Sequence, residues 1–306
     1  MKKILCVLMS CLLFVMAGCS GHSKNLKFGA ADIGGVYYSF ASTFTQLADK
    51  EIDGYTFETK TTAGSVANLR LISDGYIDLA IAQADLLSDA YNATGTFADK
   101  KYQKGYKAVA SLYTECCQIV VRKDSGITGI DDLINKTVSV GASESGSEKN
   151  AEQILKMSGI TDELINKVNM DYTEAAEKLK AGEIDAFFCT AGTRTEVIGQ
   201  LSKECDICLI SLDDKCIDKM LSAYSLCEKY TIPAGTYNGQ DSDVTTIGVK
   251  AVLIAKQSLS DDVIKNVTKT IYEHADDFKY ATSLDISFDI NTAADGVDIP
   301  FHSGAA

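Results

Sequence analysis

The sequence predicts an α/β fold of two similar lobes joined by two extended strands, with a ligand cleft between them. Three observations carry that reading. The first is a repeated phrase: a helix-like run at 65–72 leads through Gly75-Tyr76-Ile77-Asp78 into an apolar strand ending at Gln83 and Asp85. A second helix-like run, 175–181, leads through Gly182-Glu183-Ile184-Asp185 into the apolar strand 186–189 and Thr190. The second observation is that each copy follows a strand end that passes through small residues into a helix, at 29–38 and at 140–148. The third is a pair of extended connections, near 113–124 and 235–255, which read as a two-strand hinge and make the first domain discontinuous. Domain I is then 26–120 with 240–306, and domain II is 121–239.

Taken in order, 26–30 reads as a strand, 36–48 as a helix and 55–59 as a second strand. Ser65 stands where a helix N-cap belongs, Val66, Leu69, Leu71 and Ile72 supply an apolar face, and Gly75 stops the run. Residues 77–82 are almost continuously apolar, as in a strand covered on both faces of a parallel sheet. A helix at 86–92 follows, then two adjacent strands, 106–113 and 116–123. The second half reads as strand 137–141, helix 147–157, strand 168–172, the repeated phrase, helix 195–201 and strand 207–211. Residues 244–255, mostly apolar and β-branched, return as a long strand to the first half. Residues 261–278 make one amphipathic helix with Val263, Ile264, Val267, Ile271 and Phe278 on one side.

With 306 residues, 46% hydrophobic and 23% charged, the chain has the length and composition of two globular domains. The formal charge of −13 argues against nucleic acid or an anionic lipid surface as partner. Residues 1–18 read as a signal peptide: Lys2 and Lys3 form a positive start, 4–16 an apolar stretch, and Ala17-Gly18-Cys19 a small-residue cleavage site. The ending resembles a bacterial lipobox, so Cys19 is expected to carry lipid on a tether of residues 19–25, with an ordinary secretory signal as the alternative. The chain is thus expected to be extracytoplasmic, lipid-anchored to the bacterial membrane and monomeric. Seven cysteines remain in the mature chain, and an odd number cannot all pair internally. Cys205-x-x-Cys208 has no second half with zinc-ligand spacing, so no metal and no cofactor is expected. Cys116, Cys117 and Cys189 sit in apolar runs and read as small core residues.

Catalysis finds little support. Nucleophilic hydrolysis needs a base beside the nucleophile, and His22, His274 and His302 all lie away from the strand ends of the repeat. Gly141-Ala142-Ser143-Glu144-Ser145 fails the nucleophile-elbow pattern at its last position, and Ser147 and Glu148 replace the Lys and Ser/Thr of a phosphate loop. The chain therefore reads as no enzyme, with Ser143, Ser145 and Glu144 as the only motive for the contrary view. What remains is a set of helix starts opening from Gly/Ser-rich strand ends: after Gly34-Gly35, at Gly64-Ser65, at Ser145-Gly146-Ser147 and after Gly192-Thr193. Amide protons at such starts hold carboxylates without a formal cation. Of the three arginines, Arg70, Arg122 and Arg194, the last is the best placed to clamp a carboxylate, with a surface ion pair as its alternative role.

At these residues the chain resembles the TAXI family, the extracytoplasmic solute receptors of TRAP transporters. The resemblance rests on Gly34-Gly35-Val36-Tyr37-Tyr38, on 63–70, on Gln83-Ala84-Asp85 with Tyr91-Asn92, on Val140-Gly141 with Ser145-Gly146-Ser147, on 185–188 with Ala191-Gly192, and on 232–237. It implies a two-domain periplasmic-binding-protein fold of type II that closes on a small organic anion, a dicarboxylate or an acidic amino acid. The solute would pass to the membrane subunits of a TRAP permease; a cell-surface sensor or binding lipoprotein without transport is the alternative. Carried over by motif, the cleft involves Gly34, Gly35, Tyr37, Tyr38, Gly64, Ser65, Asn68, Gln83, Ser143, Ser145, Ser147, Thr190 and Tyr237, with Arg194 as a residue that tunes ligand choice.

Overall fold

Ten strands form one sheet that runs through both lobes, in the computed structural model that describes residues 23–99, 104–284 and 290–305. The leader and Cys19 lie outside those residues. In the first lobe, β1 (Lys24–Gly29) pairs in parallel with β2 (Tyr55–Lys60) and with β3 (Leu79–Gln83). In the second, β5 (Thr137–Ser139) pairs in parallel with β6 (Asn166–Val168) and β7 (Ala186–Ala191). Two long antiparallel strands join the halves: β4 (Tyr106–Arg122) and β10 (Val244–Lys256). Strand β10 pairs with β3, and β4 pairs with β7, so the order reads β2-β1-β3-β10-β4-β7-β5-β6. Short strands β8 (Ile207–Leu209) and β9 (Cys227–Ile232) add to β4 and β10.

Helices cover both faces, as the continuous apolar strands require. In the first lobe, α1 (Val36–Glu51) packs on one face with α8 (Asp261–Glu273) and α9 (Ala275–Thr282); its Phe40 stacks on Phe278 at 4.5 Å between ring centroids. The opposite face is covered by α2 (Ser65–Ser73) and α3 (Ala84–Asn92), through Leu69, Ile72, Leu86 and Leu87. In the second lobe, α4 (Gly146–Met157) and α7 (Asp214–Ala223) bury Ile154, Ile217 and Met220 on one side. On the other, α5 (Tyr172–Ala181) and α6 (Glu196–Glu204) bury Leu179, Ile198 and Leu201.

Three readings of the sequence change. The stretch 106–122 is one strand of 17 residues, not two. Its polar centre looked like a break, but Thr114 faces outward to Glu228 at 2.9 Å while Glu115 is buried beneath α1. The helix expected over 261–278 is two, broken at His274, whose ring bridges Asp277 at 2.9 Å and Glu51 of α1 at 2.5 Å. Ser65 is not the cap of α2 but its first residue; the cap is Gly64, at φ 120 and ψ −150, a conformation that side chains rarely tolerate. Helix α7 and strand β9 are further elements between β8 and β10. All seven cysteines of the described residues are unpaired, and Cys116, Cys117 and Cys189 are buried in strands.

Candidate functional site

The strand ends of the two lobes face each other, and four helix starts meet where they do. The start of α2 abuts that of α4: a Cβ placed on Gly64 would stand 3.4 Å from the Ser145 Cα. The start of α1 faces that of α5: a Cβ on Gly35 would stand 3.7 Å from the Tyr172 ring. Between them lies a small cavity, walled from the first lobe by Ala31, Asp32, 35–37, 63–65, Gln83 and Glu115, and from the second by Ala142, 145–147, Asp171, Tyr172, Thr190 and Ala191. The lobes are closed over it. The Ala67 amide of α2 donates to the Glu144 carbonyl at 3.1 Å, and the Arg70 guanidinium grips the Glu144 carboxylate with two bonds, 2.6 and 3.2 Å.

Helix starts leave amides that no helical carbonyl can reach. In α4 the Ser145 hydroxyl takes the Glu148 amide at 3.0 Å, leaving those of Gly146 and Ser147 without an intrahelical acceptor. In α2, Ser65 and Val66 are in the same position. Two side chains of the wall are pinned by strand backbone. Ser65 Oγ accepts the Gln83 amide at 3.1 Å, and Ser147 Oγ accepts the Thr190 amide at 2.8 Å while meeting the Tyr172 hydroxyl at 2.6 Å. The Gln83 side chain, 1% exposed, lies against Gly146, and its Oε1 is buried with no hydrogen-bond partner.

Glu115 is the least anticipated group. It is 2% exposed, accepts a bond from the Tyr37 hydroxyl at 2.8 Å, and burial pushes its carboxyl up to about 8 despite hydrogen bonds from Tyr37 and Gln83. Asp32 is also raised, by burial and by the charge of Asp171, although the amides of Ile33, Gly34 and Tyr172 favour its ionised form. Tyr37 and Tyr172 are pushed well above the usual phenol range by burial.

Eight of the residues expected at the cleft line the cavity: Gly35, Tyr37, Gly64, Ser65, Gln83, Ser145, Ser147 and Thr190. The rest serve elsewhere. Gly34 lies against Thr173, Tyr38 packs on the α1 side of the core, and Ser143 is exposed. Asn68 is fully buried and its amide spans the carbonyls of Gly29, Ala30 and Ile81 at 3.3, 2.6 and 2.8 Å, bracing β1 to β3. Tyr237 donates to Gln118 at 2.5 Å and accepts the Thr195 amide at 3.0 Å, so it closes off the start of α6 inside the second lobe. Arg194 lines a separate hollow with Tyr230, Thr236 and Leu284. The fourth helix start at the cavity is therefore that of α5, with Asp171 as cap, rather than the one after Gly192-Thr193. Its signal is the Asp171-Tyr172-Thr173-Glu174 sequence, an N-cap pattern where the sequence reading places the end of strand 168–172. Glu115, Asp32, Asp171 and Tyr172 were missed; the signal for Glu115 was a carboxylate in the middle of a β-rich run.

His274 is held by Glu51 and Asp277 and His302 by Leu259 and Gly304, outside the cavity. Among the described residues no group of three or more His, Cys, Asp or Glu could hold a metal ion, and no helix is long and apolar enough to cross a membrane.

Two α/β lobes on a shared two-strand hinge, closed over a cavity, define the periplasmic-binding-protein fold. Residues 28–306 match the NMT1-like family, and the chain belongs to it. Solved structures of like fold include the periplasmic binding protein BugD, at TM-score 0.57 and 10% identity over 84% of this chain and 85% of that one. A putative L-cystine ABC transporter from Listeria monocytogenes matches at 0.54 and 15% over 85% and 94%, and a protein of Bordetella bronchiseptica RB50 at 0.55 and 17% over 85% and 76%.

Proposed function

We propose that the protein is an extracytoplasmic solute receptor that closes its two lobes on a small organic anion, a dicarboxylate or acidic amino acid, and hands it to a TRAP-type membrane permease. It acts by binding, without catalysis. The observation that carries this is the closed cavity walled by the starts of α2 and α4, where amides of Ser65, Val66, Gly146 and Ser147 can receive a carboxylate. Membership of the NMT1-like family and the kinship in fold with BugD support the receptor reading. The TRAP coupling, the Cys19 anchor and the eight cavity residues drawn from the motifs belong to the proposal.

The test is thermal unfolding of the mature protein with glutamate, 2-oxoglutarate, succinate and fumarate. A ligand at a hundred times its dissociation constant adds about 2.7 kcal/mol of stability. No shift across a broad panel of organic acids and amino acids refutes the receptor reading. Incorporation of labelled fatty acid by the wild type and not by Cys19→Ala checks the anchor.

A further inference from the structure

The carboxyls of Asp32, Glu115 and Asp171 line the cavity, and among the described residues no Lys or Arg does. Arg70 is bound to Glu144, Arg122 to Asp124, and Arg194 opens on a different hollow. Asp171 takes the Glu174 amide at 2.8 Å as the cap of α5; Asp32 is faced by the amides of Ile33, Gly34 and Tyr172, and its Oδ2 is buried without a hydrogen-bond partner. Glu115 has only the Tyr37 hydroxyl and the Gln83 amide. The Gln83 Oε1 lies at the start of α4, buried and unpartnered. A buried acceptor left unmet is destabilising, so its donor is expected to come from whatever fills the space.

We propose that the solute brings a protonated nitrogen, an ammonium of the amino-acid kind, which seats on Glu115 and Gln83 Oε1 while the solute's carboxylate rests on the amides at the starts of α2 and α4. This deepens the receptor reading and rests on it, choosing an amino acid over a simple dicarboxylate. A proton moves as a consequence. With the lobes closed and the cavity empty, burial raises the Glu115 carboxyl to about 8, so at pH 7 its protonated form prevails. When the ammonium arrives, the O–H bond of Glu115 breaks, the proton passes to solvent, and an N⁺–H···O⁻ bond takes its place. A dicarboxylate has no such cation and leaves the proton where it is.

The experiment is isothermal titration of the full mature protein at pH 7 with glutamate, glutamine, aspartate, succinate and 2-oxoglutarate, each in buffers of different ionisation enthalpy. The expected result is binding of an amino acid with release of up to one proton at pH 7, falling as pH rises through about 8, and weaker or no binding of the two dicarboxylates. Glu115→Gln is expected to bind the amino acid roughly 100-fold more weakly, with no proton released. Amino-acid binding without proton release, or dicarboxylate binding as tight as that of any amino acid, overturns the inference and leaves the receptor reading standing. The wild-type proton count decides even if the variant folds poorly. Binding of none of these or of any wider panel member overturns the receptor reading itself.

Discussion

Replacing Gly146 by alanine adds one methyl group to the first turn of α4, and the closed structure has no room for it. The new Cβ would overlap the Oε1, Cδ and Nε2 of Gln83, a side chain that is 1% exposed, held at its backbone by Ser65 and hydrogen-bonded to Glu115. Gln83 belongs to the first lobe and Gly146 to the second, so the collision exists only when the lobes are shut. Within its own lobe the substitution helps, because glycine in a helix is worse than alanine by about 0.5–1 kcal/mol. Overpacking of this kind costs about 1–3 kcal/mol, which would fall on closure and hence on affinity, a loss of roughly 5- to 150-fold. The ligand-free protein should therefore melt no lower than the wild type while its dissociation constant rises. Gly199→Ala in α6, where the added Cβ meets nothing within 4 Å, is the control: it should gain the same helix stability and leave affinity untouched. Differential scanning calorimetry and titration with the best solute of the panel read both quantities. Unchanged affinity in Gly146→Ala would show that the bound state does not bring α4 against Gln83, and the closed cavity would no longer describe the binding state.

Three further outcomes follow from the same geometry. Glu115→Gln should flatten the pH dependence of stability: a carboxyl raised from 4.5 to about 8 binds more protons folded than unfolded, so the wild type loses stability as pH rises through that window, with a ceiling on the order of 5 kcal/mol. Tyr37, Tyr113, Tyr172 and Cys116 around it are raised too and stay neutral there, while Asp85 adds a like charge; urea unfolding at pH 5, 7 and 8.5 measures the difference. Asn68→Ala removes one donor from each of three backbone carbonyls, of which Ala30 keeps the Thr62 hydroxyl, and should cost about 2–4 kcal/mol of stability with no change in which solute is preferred, as seen by melting and by a competition titration. Glu144→Gln weakens the two-pronged bond to Arg70 across the lobes; both side chains are over a third exposed, so the loss should be about 0.5–1 kcal/mol, a two- to five-fold drop in affinity, with melting of the ligand-free protein nearly unchanged.

The sequence was most legible where periodicity and punctuation agree. The Gly-x-Ile-Asp phrase placed β3 and β7 because a fully buried strand must be apolar throughout, and the Gly/Ser strand ends placed the starts of α1, α2 and α4 at one site. Motif matching was weaker for side chains whose job is bracing. Asn68 and Tyr237 sit beside cleft residues in the chain, and only the coordinates show that one ties β1 to β3 and the other fastens α6. The His274 break was hidden because both halves of 261–278 keep the apolar period; the bend comes from a contact with Glu51, more than two hundred residues away in sequence.

Glu115 escaped for a reason that bears on mechanism. A carboxylate inside an apolar run resembles a turn, since burying an ion without a partner is costly. Here the cost is lowered by a proton and by the Tyr37 hydroxyl, so the strand passes straight through. The place where it does so is the crossing point of the molecule. Before Glu115, β4 pairs with β10 alone among the strands; from Cys116 on it is also paired with β7, through Cys116 opposite Ala191. Glu115 thus stands where the hinge strand leaves one lobe and enters the other, bound to Tyr37 of α1 on the first side and next to the residue that opens the ladder of the second. A solute that reaches Glu115 while its other end rests on α4 touches the hinge and both lobes at once. That geometry gives a filled cavity contacts that an open form would have to give up, and a differential of this sort is what couples binding to closure.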